Sequence, residues 1–235
     1  MERRRFLEGC AMLSGIAAVA RHGAFAADAA AHRFPPALLV DGDGRPIRAR
    51  SIAVETNYVF HYPFASTPCF LLNLGAPLDG ADKLERADGA TYAWPGGVGR
   101  ERSLVAFSAI CAHKLAYPTR EVSFIRYQKD KSPTSAAHVI HCCADHSVYD
   151  PSRGARVVSG PAPQPLAAIL LDYDERADEL RATGTLGAEQ FDAFFAKYAF
   201  KLEMEYGGAG GAAKPVGGTT LVRELTDFCR NPVSC

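Results

Sequence analysis

The sequence lacks any excess of charge of one sign. Its 26 Lys and Arg residues balance its 26 Asp and Glu residues, and no run of like charges suggests a face that binds polyanions. Proteins that hold DNA or RNA through the phosphate backbone usually carry a basic patch or stripe. The charge balance therefore argues against a nucleic-acid partner, and any partner must be inferred from a particular site.

The sequence also lacks an apolar run as long as a membrane span, and it has no internal repeat at a fixed period. Its longest apolar stretch, from about Gly9 to Ala20, is short against the roughly 20 residues that a bilayer requires. With 235 residues, of which 48% are hydrophobic, the chain can form one sizeable domain or a domain with a small inserted subdomain.

The N-terminal residues have the order of a targeting peptide, because three arginines precede the apolar stretch and Ala24-Phe25-Ala26 follows it. Arg3-Arg4-Arg5-Phe6-Leu7 resembles the twin-arginine consensus, which implies export of an already folded protein. We therefore expect residues 1–26 to be a cleaved signal and the protein to be periplasmic. An ordinary secretory signal and an uncleaved anchor in the inner membrane are the alternatives.

Most of the remaining chain consists of short apolar runs separated by Pro, Gly and Asp turns, which is typical of a mostly β protein. One segment differs, because its aromatic residues recur at helical spacing; these are Phe191, Phe194, Phe195 and Tyr198. They predict a single amphipathic helix whose aromatic face packs in the core rather than docking a partner. We predict strands at 51–55, 69–74, 104–110, 122–127, 139–142, 166–173 and 219–222.

Two short motifs combine cysteine with histidine. Cys111-Ala112-His113 is a Cys-x-His pair, and Cys143-Ala144-Asp145-His146 is a Cys-x-x-His pair. Two thiolates and two imidazoles on two loops can hold a binuclear iron cluster, with one iron bound by both cysteines and the other by both histidines. The same four donors also suit a structural zinc ion.

Other residues near the second motif are alternative ligands, namely His138, His141 and Cys142. Spacing favours the first assignment, because only Cys143 leaves a two-residue gap to His146.

These motifs resemble the Rieske family of [2Fe-2S] proteins, closely so from about Leu104 to Leu171. Gly160-Pro161-Ala162-Pro163 is similar to the Gly-Pro-Ala-Pro turn that covers one side of the cluster in respiratory members. The resemblance implies a mostly β fold, in which an antiparallel β sandwich or barrel forms the base of a Rieske domain at 37–235. It also implies an inserted cluster-binding subdomain at about 107–165.

The resemblance assigns one [2Fe-2S] cluster to each chain. The implied ligands are Cys111, His113, Cys143 and His146. Ser147 and Tyr149 are implied to donate hydroxyl hydrogen bonds to a bridging sulfide and a cysteine sulfur, which would raise the reduction potential.

The implied function is one-electron transfer, with no bond-making chemistry by the chain alone. We expect a subunit or soluble partner of a periplasmic respiratory oxidoreductase. Its redox partners would be a cytochrome, a quinol-oxidising complex of the cytochrome bc type, or a molybdoenzyme subunit as in arsenite oxidase. The alternatives are a ferredoxin component of an oxygenase system, a structural zinc protein, and a binding module that has lost its cluster. Membrane association would come only from the N-terminal segment.

The sequence departs from the family in two places. Respiratory members carry an extra cysteine in each loop and join them in a disulfide clamp, but by spacing those places are Ala116 and Asp145 here. The family usually has Gly and Ser between the last histidine and the aromatic residue. Here Ser147 follows His146 directly, as if one residue were deleted.

Seven cysteines are present, and Cys10 would leave with the signal. Cys229 and Cys235 close a short loop and form the simplest disulfide to propose. Cys69 and Cys142 could form a substitute clamp, with buried thiols as the alternative.

Overall fold

The structure is a computed structural model and describes residues 30–80, 83–208 and 210–235. The predicted signal at 1–26 lies outside the described residues. The described strands are β1 (His32–Val40), β2 (Tyr58–His61), β3 (Pro68–Asn73), β4 (Lys83–Glu85), β5 (Thr91–Ala93), β6 (Leu104–Ser108), β7 (Ile125–Gln128), β8 (Val139–Cys142), β9 (Ser147–Asp150), β10 (Arg156–Ser159), β11 (Ala168–Asp174), β12 (Glu179–Leu186), β13 (Gly218–Leu221) and β14 (Arg223–Glu224). The two α-helices are α1 (Phe191–Glu205) and α2 (Leu225–Phe228).

The largest sheet has eight strands in the order β13-β1-β12-β11-β6-β3-β2-β14. Neighbouring strands in this sheet are antiparallel except for β1 and β13, which run parallel. The sheet curls on itself, since the hydroxyl of Thr220 on β13 donates to the carbonyl of His61 on β2 at 2.8 Å. The result is a nearly closed, barrel-like sheet, and the predicted mostly β fold class is confirmed.

A second sheet, in the order β10-β9-β8-β7, lies in the chain between β6 and β11. Its residues fall within the segment at about 107–165 for which an inserted cluster-binding subdomain was predicted. β4 and β5 form a separate two-stranded hairpin.

Both faces of the large sheet are buried at β3 and β6, since neither strand has an exposed residue. Successive side chains of a strand point to opposite faces. Phe70 and Phe107 therefore pack with Ile125 and Ile140 of the second sheet, in a cluster shared by both sheets. Their chain neighbours, such as Leu71, pack on the other face with the inner side chains of the barrel.

The aromatic helix predicted from the sequence is α1, and its aromatic side chains pack inward as expected. Phe191 and Phe194 are buried in a third cluster with Ile110 and Leu115, while Phe195 and Tyr198 pack against it. The helix thus covers the chain that follows β6.

Several strand predictions are confirmed within a few residues, including those at β3, β8 and β13. The prediction at 51–55 is wrong. A short 3-10 turn occupies Ala49–Ser51, Val54 makes only an isolated bridge, and Glu55 has a φ of 57°, which lies outside the strand region. Among the described residues, no helix is long and apolar enough to cross a membrane.

Candidate metal-binding site

The first Cys-His motif lies in a tight loop after β6. The backbone N–H of Cys111 donates to the carbonyl of Ala116 at 2.8 Å, and that of Leu115 donates to the carbonyl of Cys111 at 3.0 Å. The loop buries Cys111 completely and leaves the side chain of His113 37% exposed. One donor thus faces inward and the other lies at the surface.

Helix α1 supports this loop from outside. Tyr117 meets the ring of Phe194 edge to face, with centroids 5.0 Å apart. The ammonium group of Lys197 donates to the carbonyl of Lys114. The loop is therefore fixed by packing as well as by its own hydrogen bonds.

The second motif lies in the hairpin between β8 and β9, where Cys142 and Ser147 are paired across the strands. The N–H of His146 donates to the carbonyl of Cys142 at 2.7 Å and closes the turn. His146 has a φ of 59°, in the left-handed region that favours glycine.

Four donor side chains from the two loops meet at one point. Sulfur atoms of Cys111 and Cys142 and a carboxylate oxygen of Asp145 all lie within 4.8 Å of one another. Asp145 Oδ2 lies 3.4 Å from the sulfur of Cys111 and 2.9 Å from Nδ1 of His113. The structure therefore brings together Cys111, His113, Cys142 and Asp145, and we call this group the four-donor pocket.

The ionisation of these groups is strongly perturbed. The hydrogen bond from the thiol of Cys142 lowers the pKa of Cys111 to about 7, against the opposing effect of burial. The same contact raises the pKa of Cys142. Burial acts to raise the pKa of Asp145, but hydrogen bonds, the first of them from the N–H of Ser147, bring it below its usual value. The hydrogen bonds thus favour a carboxylate at Asp145 and a thiolate at Cys111 that shares a hydrogen bond with the thiol of Cys142.

Two hydroxyl groups border the pocket. The hydroxyl of Tyr149 lies 3.4 Å from the sulfur of Cys111 and accepts a hydrogen bond from the N–H of Ala112 at 3.0 Å. The hydroxyl of Ser147 is fully buried and has no hydrogen-bond partner among the described residues. Tyr149 thus has the contact expected of it, and Ser147 is a buried donor without an acceptor in the protein.

The Gly-Pro-Ala-Pro turn packs directly on the second loop. A Cβ atom at Gly160 would lie 2.3 Å from the carbonyl oxygen of His146 and 2.6 Å from the Cα of Ser147. Only glycine allows the turn to approach the hairpin this closely.

The residues expected as the second ligand pair do not join the first pair. Cys143 forms a disulfide with Cys235, with the Cα atoms 5.7 Å apart. His146 lies beside the ring of His141, with centroids 5.6 Å apart, and both rings have a nitrogen within 4.8 Å of the sulfur of Cys235 in that disulfide. The expected ligand set is therefore divided: Cys111 and His113 lie in the pocket, and Cys143 and His146 lie beside the disulfide.

Both disulfide hypotheses are wrong for this structure. Cys235 pairs with Cys143 rather than with Cys229, and Cys229 is a buried free thiol. Cys69 and Cys142 are also free and buried. They belong to different core clusters, which explains why they do not pair.

The disulfide attaches the C-terminal segment to the second loop. This segment is already hydrogen bonded to the chain before β7, since the N–H of Ser123 donates to Asn231 at 3.1 Å and the N–H of Val233 donates to Ser123 at 2.8 Å. The C-terminal segment therefore joins the second loop to the part of the chain that precedes β7.

Comparisons with known proteins can be set beside this geometry. No family model matches the sequence. The chain is similar to the soluble domain of the Rieske protein II (soxF) from Sulfolobus acidocaldarius, at 26% identity over 67% of this chain and 84% of that chain, with a TM-score of 0.49.

Proposed function

We propose that the protein transfers single electrons through a [2Fe-2S] cluster of the Rieske type, held between the loop after β6 and the β8–β9 hairpin. The observation that carries the proposal is the convergence of two cysteine sulfurs and a histidine nitrogen, from two separate loops, on one pocket. Thiolate and imidazole donors of this kind are the ligands of Rieske centres.

The residues around the pocket fit such a group. Ser147 has a fully buried hydroxyl without a partner among the described residues, and its strand partner is Cys142. A buried donor normally finds an acceptor, and a bridging sulfide would provide one. The lowered pKa of Cys111 also favours the thiolate form that binds metal.

When bound, the cluster supplies a one-electron redox centre. Cys111 and Cys142 provide sulfur ligands at the buried end of the pocket. His113 lies at the surface and forms the edge nearest to a redox partner. Tyr149 donates to the sulfur of Cys111, which stabilises added negative charge and raises the reduction potential.

We further propose a periplasmic location and redox partner proteins, such as a cytochrome or a subunit of a quinol- or molybdoenzyme-linked oxidoreductase. The twin-arginine motif Arg3-Arg4-Arg5-Phe6-Leu7 supports export. The Cys143–Cys235 disulfide also supports it, because disulfides persist in oxidising compartments. An uncleaved N-terminal segment would anchor the protein to the membrane.

The test is metal and sulfide analysis of the purified full chain, with EPR spectroscopy before and after dithionite reduction. We expect two irons and two labile sulfides for each chain, and an EPR signal only after reduction. A colourless protein with a single zinc ion would overturn the proposal in favour of a structural metal site. Absence of both metals after anaerobic reconstitution with iron and sulfide would overturn it in favour of a metal-free binding module.

A further inference from the structure

The pocket contains one donor that the sequence did not single out. Asp145 carries a carboxylate whose side chain is only 3% exposed, with an oxygen that lies within 4.8 Å of the sulfur atoms of both Cys111 and Cys142. Resting on the proposed function, we infer that Asp145 is the fourth ligand of the cluster, at the place where the family has its second histidine.

The four donors comprise two sulfur ligands, Cys111 and Cys142, and one nitrogen and one oxygen ligand, His113 and Asp145. The sulfur atoms of Cys111 and Cys142 lie within 4.8 Å of each other. Nδ1 of His113 lies 2.9 Å from Oδ2 of Asp145. A binuclear cluster requires this arrangement, with one sulfur pair for the first iron and a second pair for the other iron.

The hairpin register supports the same assignment. Cys142 and Asp145 have the two-residue gap that the motif requires, one position earlier than Cys143 and His146. In this register His146 and Ser147 occupy the Gly and Ser places between the last ligand and the aromatic residue, so the apparent deletion disappears. The φ of 59° at His146 agrees, because a glycine place is one where the left-handed conformation is required.

The other candidate pair is engaged elsewhere. The sulfur of Cys143 is bonded to Cys235, and a disulfide sulfur cannot act as a thiolate ligand. His146 lies against His141 rather than His113. Neither residue is needed to complete the four-donor pocket.

A carboxylate ligand changes the charge of the centre. Asp145 adds one negative charge relative to a neutral imidazole, which disfavours the reduced state and lowers the reduction potential. The wild-type centre should therefore have a lower potential than the same centre with two histidines.

The inference is tested with three variants of the full chain, each analysed for iron content, EPR spectrum and reduction potential. Asp145→Ala should lose most of its iron. Asp145→His should retain the cluster, with a higher potential and g values shifted toward those of a two-histidine centre. His146→Ala should keep the wild-type iron content and spectrum, and circular dichroism should show that all three variants are folded.

The outcomes separate this inference from the proposed function. Iron–sulfur signals in the wild type that survive Asp145→Ala unchanged but vanish in His146→Ala would overturn the inference and leave electron transfer intact. Unchanged spectra in both variants would also overturn it. A wild type that binds no iron would instead overturn the proposed function itself. If Asp145→Ala does not fold, the reduction potential and g values of Asp145→His test the assignment instead. Wild-type values in Asp145→His would overturn the assignment of Asp145 as a ligand.

Discussion

At the scale of single residues, Gly160 controls how closely the proline turn approaches the second loop. Its φ is 88°, and a Cβ at this position would meet backbone atoms of His146 and Ser147 at 2.3 and 2.6 Å. Gly89 has a similar φ of 83° but has nothing within 4 Å of its Cβ position. The two glycines share a backbone conformation and differ in their surroundings.

We predict that Gly160→Ala lowers the free energy of unfolding by more than Gly89→Ala does. Both variants bear the cost of a left-handed residue, about 1–2 kcal/mol. Gly160→Ala also forces the turn away from the hairpin, adding about 1–3 kcal/mol by overpacking, and should reduce iron retention. Denaturant unfolding and iron analysis of the two variants would measure both effects. Equal losses of unfolding free energy in the two variants would contradict a close contact between Gly160 and the hairpin.

At the same scale, the second cysteine ligand and the disulfide partner of Cys143 could not be predicted from the sequence. Cys142 and Cys143 are adjacent, and a two-residue gap to a histidine favours Cys143, whereas Cys142 has the same gap to the carboxylate of Asp145. The missing residue before Tyr149 was the one signal of a shifted register. The disulfide that occupies Cys143 could not be derived, because its partner Cys235 is 92 residues away and pairing depends on the fold.

At the scale of elements, the disulfide links the β8–β9 hairpin to the C-terminal segment. In the chain-entropy account, a cross-link stabilises mainly by restricting the unfolded chain, and more strongly for a longer loop. A separation of 92 residues places this disulfide among the long loops.

We predict that the double variant Cys143→Ser/Cys235→Ser loses about 2–5 kcal/mol of unfolding free energy. It should still bind iron, because neither sulfur belongs to the four-donor pocket. Adding a dithiol reductant should destabilise the wild type by a similar amount and leave the double variant unchanged. A wild type that is insensitive to the reductant, with no peptide linking Cys143 to Cys235 in a non-reducing map, would contradict the disulfide.

The elements differ in how well the sequence predicted them. α1 was predictable because four aromatic residues share one helical face. β1 was not, since Pro35 and Pro36 interrupt it at the point where its register with β12 shifts. β12 contains Gly184, whose Cβ position lies 2.5 Å from the carbonyl oxygen of His32. This glycine allows β12 to approach β1 closely, and the sequence alone does not show that these two strands are paired.

At the scale of the whole molecule, stability should depend on pH through His61 at the end of β2. Burial, followed by the charges of Arg120 and Arg223, lowers the pKa of this imidazole from 6.5 to about 4. Above pH 6.5 both the folded and the unfolded states hold it neutral. As the pH falls below 6.5, the unfolded state takes up a proton that the folded state resists until about pH 4, so stability is lost over this interval.

We predict that His61→Gln makes unfolding less sensitive to acid. A single proton contributes a slope of at most about 1.4 kcal/mol per pH unit, or up to about 3 kcal/mol in total across the interval. Denaturant unfolding at about pH 7.5 and about pH 5 should show a smaller stability difference for the variant than for the wild type. Equal differences would show that His61 is protonated as easily in the folded state as in the unfolded state.

The position of Cys235 in the chain has a consequence for how the protein matures. Synthesis proceeds from the N-terminus, so Cys235 leaves the ribosome after all the residues of the two loops. The hairpin can therefore form, and the pocket can take up the proposed cluster, before the covalent link to the C-terminal segment exists. With the proposed cluster and export, cofactor insertion and disulfide formation would thus be separable in time, each in the compartment whose redox conditions suit it.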